Sequence, residues 1–101
     1  MDKDNQNKAN QIEKCLSLIE LVEYLRSPEG CKWDIEQTHQ SLRNNLLEET
    51  YELLDAIEEN SSDKIKEELG DILMQVLYHS DIARDNSNFD FFELCDYVRL
   101  K

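Results

Sequence analysis

The chain has 101 residues, enough for one domain with a modest core. Its 23 acidic and 11 basic side chains leave a net charge of -12, which argues against a general nucleic-acid or anionic-membrane surface and suits a cation-binding protein or a merely soluble one. Gly and Pro are scarce while Leu, Ile and Glu recur at helical spacing, so the fold class reads as all-α; Cys15, Cys31 and Cys95, without CxxC spacing, argue against a disulfide framework or zinc site and for a reducing compartment.

Residues 1–10 are polar and mixed in charge and read as a flexible lead-in to a helical domain over 11–101. They hold no apolar run of the kind a signal peptide needs, and nothing later is long enough to span a bilayer. The expected location is therefore cytoplasmic, with neither a membrane nor a nucleic-acid polymer as partner. A first helix is expected from about Gln11 to Arg26, with Ile12, Leu16, Ile19 and Val22 as its apolar stripe. Ser27-Pro28-Glu29-Gly30 ends it, because Pro lacks a donor and Gly tolerates turn geometry. Cys31-Lys32-Trp33-Asp34 opens an irregular connector, with Asp34 placed to cap a short turn through His39. A second helix follows from about Ser41 to Glu59. A third, capped by Ser61 or Ser62, runs to about Arg84. After the polar Asp85-Asn86-Ser87-Asn88 loop, Asn88 is the candidate cap of a last helix over Phe89–Leu100.

Helix geometry of about 100° per residue then sorts the faces. On the second helix Leu42, Leu46, Leu47, Thr50, Leu53, Leu54 and Ile57 share one arc, with Glu49 at its border, Glu52 just beyond it and the small Ala56 between their directions. On the third, Ile65, Leu69, Ile72, Leu73, Val76 and Ala83 make the apolar arc, and Glu68 and Asp71 stand at the same offset as the first pair. Each pair is a three-residue step, which puts two side chains on one face. With the hairpin pivoting near Asn60, Glu52 falls opposite Glu68 and Glu49 opposite Asp71. Pointing outward, the pairs are a solvated acidic face. Pointing inward, they are four converging carboxylates that suit Mg²⁺ or Mn²⁺, with water and a substrate phosphate completing the octahedron. Such a metal can activate water and draw charge from a phosphoryl oxygen.

Other residues have plainer readings beside functional ones. Met74, Leu77, Tyr78 and Ile82 are apolar outside the third helix's main arc, which suggests burial against a second subunit in a homodimer or higher oligomer. Trp33 is a packing anchor or a platform for a nucleobase. Glu36 and His39 form one ExxH step where a di-iron bundle needs two, and Val76 precedes His79 at that spacing, so His39 reads as a local hydrogen-bonding residue. Gln75, one turn beyond Asp71, is placed to support the acids. Phe89, Phe91 and Phe92 read as closing the core, and Cys15 and Cys95 as small core residues.

Three motifs in order carry a resemblance over about residues 16–101. Leu25-Arg26-Ser27-Pro28-Glu29-Gly30-Cys31-Lys32-Trp33-Asp34-Ile35-Glu36-Gln37-Thr38-His39 resembles an LRxPxxGCPWDxxQTH stretch, with one residue fewer between Pro28 and Gly30. Leu47-Glu48-Glu49-Thr50-Tyr51-Glu52 with Asp55-Ala56-Ile57 resembles an LEExYExxDAI helix, and Glu67-Glu68-Leu69-Gly70-Asp71 with Gln75-Val76 an EELGDxxxQV helix. Together they resemble the MazG-type nucleotide pyrophosphohydrolases. The resemblance implies an all-α bundle of about four helices, completed by dimerisation. It implies Mg²⁺-dependent hydrolysis of a nucleoside triphosphate, ribo or deoxy, between the α and β phosphates, giving monophosphate and pyrophosphate. Glu49, Glu52, Glu68 and Asp71 would be the metal ligands, and Glu48 would orient or deprotonate the attacking water.

Two departures bear on this. Lys32 stands where the family usually has Pro, which loosens the connector or adds a phosphate contact. The family's basic KLxRRHPHVF-like segment is matched only at its first Lys, by Lys101. Basic groups there would bind polyphosphate. Their loss favours the alternative: a non-catalytic helical oligomerisation or regulatory module that keeps the fold.

Overall fold

A computed structural model describes residues 3–101. Those residues form five α-helices and no strand: α1 (Lys3–Leu25), α2 (Lys32–Glu36), α3 (Arg43–Glu58), α4 (Ser62–Asp85) and α5 (Phe91–Leu100). The chain divides into two compact units, over 1–35 and 36–101. The all-α expectation holds, with one short helix more than the four expected.

In the first unit α1 begins at Lys3, eight residues ahead of the start expected at Gln11. Residues 1 and 2 of the expected lead-in lie outside the described residues. The extra turns are polar but helix-compatible. Asp4 sits in the first turn, where the helix dipole favours an acid, and Gln6 donates to Asn10 one turn on at 3.3 Å. Of the expected stripe Val22 is buried, whereas Ile12 and Leu16 stay exposed. After the helix Ser27 Oγ donates to the Tyr24 carbonyl at 2.7 Å, and the Cys31 amide returns to the Leu25 carbonyl at 2.8 Å. That return brings the chain so close that a Cβ on Gly30 would collide with the Tyr24 and Leu25 carbonyls, so Gly is required. Asp34 does not cap a turn from the surface; it lies buried inside α2.

In the second unit Thr38 and Ser41 bond reciprocally ahead of α3. The Thr38 amide donates to Ser41 Oγ at 2.8 Å and the Ser41 amide to Thr38 Oγ1 at 3.0 Å. Leu42, fully buried, precedes the first turn. Asn60, with φ of 55°, reverses the chain between α3 and α4, a left-handed conformation that Asn tolerates better than most residues. The Ser61 hydroxyl then caps α4 by accepting from the Lys64 amide at 3.3 Å. The last helix is capped by Asp90, which accepts from the Glu93 amide at 2.9 Å, rather than by Asn88.

Helix α4 packs against both α3 and α5. The apolar arcs are only partly covered: Leu42 and Ala83 are buried, and Leu53, Ile65 and Ile72 half-buried. Leu46, Leu47, Leu54 and Ile57 on α3 are exposed, as are Leu69, Leu73 and Val76 on α4. The seam instead uses the arc of α3 that holds Glu49, Glu52 and Ala56, with Ala56 only 2% exposed. A small residue lets two helices approach closely, and a leucine arc does not offer that. Leu77 and Ile82, read from sequence as subunit-interface residues, are buried within the chain itself at 3% and 5% exposure. The apolar surround of α4 is thus real, but those two positions are already covered.

Candidate metal centre

The seam brings acids from both helices together. Carboxylate oxygens of Glu52, Glu68 and Asp71 lie within 4.8 Å of one another. A hydrogen bond between Glu52 and Glu68 forms only when one of the two carries a proton. The Glu68 carboxyl is accordingly pushed above its ordinary range, by desolvation first, then by that bond and by the charges of Glu52, Asp71 and Glu67. Glu49 stands slightly apart from the three. Its carboxylate accepts from the Gln75 side chain, while the charges of Asp71, Glu52 and Glu48 act on it. Its pKa is raised, mainly by burial, against the lowering effect of the Gln75 bond.

Two oxygens mark what the arrangement lacks. Glu49 Oε2 and Glu68 Oε2 are buried with no hydrogen-bond partner. A buried acceptor without a donor is costly, and here the neighbours are further acids rather than donors. A hard divalent cation satisfies such oxygens, and an all-carboxylate set suits Mg²⁺ or Mn²⁺ rather than a thiophilic metal. The residues present therefore fit a metal.

Beside the cluster, Glu52, Asp55, Ala56, Glu59, Lys64, Glu67 and Glu68 line an open cleft of about 270 Å³. Lys64 is its one cation, 2.9 Å from Glu59 Oε2, and that bond with the Glu59 charge holds its ammonium above the usual lysine range. Sequence reading passed over Lys64. The available signal was its place one turn before Glu68, on the acidic side of α4.

The remaining candidates are more scattered. Glu48 is exposed beside Glu49 and close enough to raise its pKa. Lys32 and Trp33 lie exposed at the start of α2, in the first unit, and Lys101 is exposed after α5. His39 is not a local hydrogen-bonding residue. Its Nδ1 lies 2.7 Å from Nδ1 of His79, forty residues away, with the rings 4° from parallel. Only one proton fits between the two nitrogens, so one ring donates and the other accepts. Burial, then His39, pushes the His79 pKa down, and His79 Nε2 is buried without a partner. No pattern in the sequence joins residues so far apart. Cys15 and Cys95, expected in the core, are exposed, and all three cysteines are free. Phe89 and Phe92 are also exposed, and only Phe91 is half-buried, edge-on to Phe92. No helix among the described residues is long and apolar enough to cross a membrane.

Comparison with known proteins agrees with the motifs. The chain is 56% identical over 72 residues to the nucleoside triphosphate pyrophosphohydrolase/pyrophosphatase MazG of Thermotoga maritima, covering 71% of this chain and 28% of that protein. It is 44% identical over 93 residues to the nucleoside triphosphate pyrophosphohydrolase of Escherichia coli K12, covering 91% of this chain and 34% of that protein. A protein of the same name from Mycobacterium tuberculosis is 49% identical over 79 residues, which are 78% of this chain and 24% of it. The chain thus spans about a third or less of the length of these relatives. Residues 37–101 match the description of a MazG nucleotide pyrophosphohydrolase domain, a match that holds α3, α4, α5 and all four seam acids, and the chain belongs to that family.

Proposed function

We propose that this chain is a Mg²⁺-dependent nucleoside triphosphate pyrophosphohydrolase, converting a ribo- or deoxynucleoside triphosphate to the monophosphate and pyrophosphate. The observation that carries the reading is the convergence of Glu52, Glu68 and Asp71 together with the buried, unpartnered oxygens of Glu49 and Glu68. The names of the relatives support the substrate class. Glu49, Glu52, Glu68 and Asp71 would hold the metal, with Mn²⁺ able to replace Mg²⁺. Bound there, the ion supplies a polarised phosphoryl oxygen and a more acidic water.

The chain's own residues do the rest. Glu48, exposed beside the cluster, orients the attacking water or takes its proton. Lys64 holds a positive charge at the cleft and meets the polyphosphate as it displaces Glu59. Lys32 and Lys101 are further phosphate contacts, and Trp33 offers its ring to the base. The protein works as a homodimer or higher oligomer whose copies cover the leucine face of α3 and α4. It works in the cytoplasm, in keeping with three free thiols.

The test is product analysis. Incubated with several triphosphates and Mg²⁺, the protein should release pyrophosphate rather than orthophosphate, and EDTA should stop it. If no triphosphate yields pyrophosphate, even with a basic segment added after Lys101, the enzyme reading fails and the non-catalytic helical module replaces it.

A further inference from the structure

His39 and His79 meet in a geometry that fixes what they can share. Their Nδ1 atoms lie 2.7 Å apart, their planes differ by 4° and their ring centroids are 5.0 Å apart. That centroid separation is the N···N distance plus two ring radii, the largest the contact allows. The rings therefore lie end to end in one plane, with each Nδ1 aimed at the other. Stacking is excluded, because neither ring covers the face of the other. A shared metal ion is excluded too, since about 2.0–2.1 Å to each nitrogen does not fit on a 2.7 Å line between them. A single proton fits, in an N–H···N bond. That bond ties two elements together. His39 stands on the segment 37–42 that leads into α3, and His79 stands on α4. Leu42, fully buried, seats the far end of the segment, and Ser41 bonds back to Gln37 and Thr38 within it.

We propose that His39 and His79 form a proton-operated latch: one proton between their Nδ1 atoms holds the segment 37–42 on α4, and a second proton there opens it. A neutral pair and a singly charged pair both keep one proton on the N···N line. In a doubly charged pair each Nδ1 carries its own, and two N–H donors cannot face each other at 2.7 Å. The latch thus stays closed through the first protonation and opens at the second. Burial first, then the charge of His39, makes that second step harder at His79 and holds its pKa below the usual histidine range. Other charged residues stand on the neighbouring elements: Glu36 and Arg43 at the ends of the segment, Glu49 on α3, Asp81 and Arg84 on α4, Glu93 on α5. Asp81 is engaged by Arg84 at 2.8 Å, and the one charge that acts on His79 is that of His39. Opening frees residues 37–41 from α4 while Leu42 stays seated and the helices stay formed.

The full chain is read by histidine ring nitrogen NMR and by amide hydrogen exchange from about pH 8 to about pH 5, the window in which histidine titrates. At the upper end one Nδ1 of the pair should carry a proton and the other should be bare. At the lower end both should be protonated. The amides of Leu42 and Arg43, which donate to the Thr38 and Gln40 carbonyls, report on the segment. Corrected for the intrinsic rate, their exchange should rise by about 3–10-fold on acidification, the size set by one hydrogen bond. His39→Ala, at a half-buried position, should exchange at the faster rate throughout, with no further rise in acid. His79→Leu removes the latch from the α4 side and should do the same; if it does not fold, the parent and His39→Ala still decide. Two bare Nδ1 atoms at the upper end overturn the proposal, because no proton is then shared. A parent exchange rate flat across the range overturns it as well, as does His39→Ala exchanging like the parent at the upper end.

Discussion

The two long faces of the α3–α4 hairpin are built on opposite rules. The seam between the helices holds Glu49, Glu68 and Gln75, polar groups that burial penalises, with the exposed Glu52 beside them. The outer face holds Leu46, Leu47, Leu54, Ile57, Leu69, Leu73 and Val76, which water penalises. Each face is unfinished in its own way. The seam has acceptors without donors, and the outer face has apolar surface without a cover. On the proposed reading a cation would complete the first and a second copy of the chain the second. On that reading the hairpin gives up stability as an isolated, metal-free monomer and would regain it through those two partners.

Removing charge from the seam should have the largest effect. Asp71→Asn or Glu52→Gln keeps shape and lowers the negative charge that would hold the metal. Pyrophosphate release should drop by at least about a thousandfold, roughly 4 kcal/mol of transition-state stabilisation. The circular dichroism spectrum should stay helical, because relief of acid repulsion offsets the lost contacts. Glu48→Gln should match this if Glu48 takes the proton and fall well short if it only orients water. Full turnover in Asp71→Asn would remove the seam from the chemistry.

The outer face makes the second contrast. An obligate interface of this apolar kind should bury more than about 2,000 Å² in total. Leu47→Asp or Leu54→Asp should dissociate the assembly in sedimentation while leaving the helices formed. Leu77→Asp should unfold the chain, since Leu77 is covered within one copy and an unpaired buried charge costs about 3–5 kcal/mol. A parent chain that sediments as a monomer at micromolar concentration would leave the leucine face without its second copy.

A smaller contrast lies in pH. The folded pKa of His79 lies below 6.5, so the folded state favours the neutral ring. Its contribution to stability is complete above pH 6.5 and is lost as the pH falls below that, because the unfolded chain then binds the proton more readily. Glu49 and Glu68 run the other way. Their folded pKa values lie above 4.5, so in the metal-free protein stability declines as the pH rises from 4.5 through those values. Thermal melts against pH should show the acid-side loss shrink in His79→Gln. The decline above 4.5 should shrink in Glu68→Gln or on adding Mg²⁺. A His79→Gln melting profile parallel to the parent across pH 5–7 would show that the ring pair does not titrate in folding.

How much of this was legible in the sequence differs between the faces. The acids were, because a three-residue step fixes a shared helical face whatever surrounds it. The leucine arcs were legible as apolar but not as uncovered. Periodicity says which residues share a face and is silent on what lies against it. Ala56 was the better clue to the seam, since close helix approach needs a small residue there. Leu77 and Ile82 were misplaced for the same reason: an apolar surround predicts burial, not by which copy. His39 and His79 were beyond reach, because no local pattern joins residues of different elements. The long start of α1 was missed because a polar run without an apolar stripe reads as coil, although its residues tolerate a helix.

The smallest expected effect sits where the two faces meet. Gly70 lies in the interior of α4, one residue before Asp71 and three before Leu73, and its φ is not positive. A Cβ built on it meets nothing within 4 Å. Alanine there should stabilise the isolated chain by about 0.5–1 kcal/mol, since glycine loses more backbone entropy on entering a helix. For a domain of this size that is a rise of about 2–8 °C in Tm. The gain should appear at low protein concentration, where copies are apart. At high concentration the outcome locates the border of the outer face. An unchanged gain means that the covering copy stops short of Gly70, at Leu73. A gain that shrinks as concentration rises means that the copy reaches Gly70 and the new methyl meets it. A lower Tm at every concentration would contradict the open space beside Gly70 and the border drawn from it.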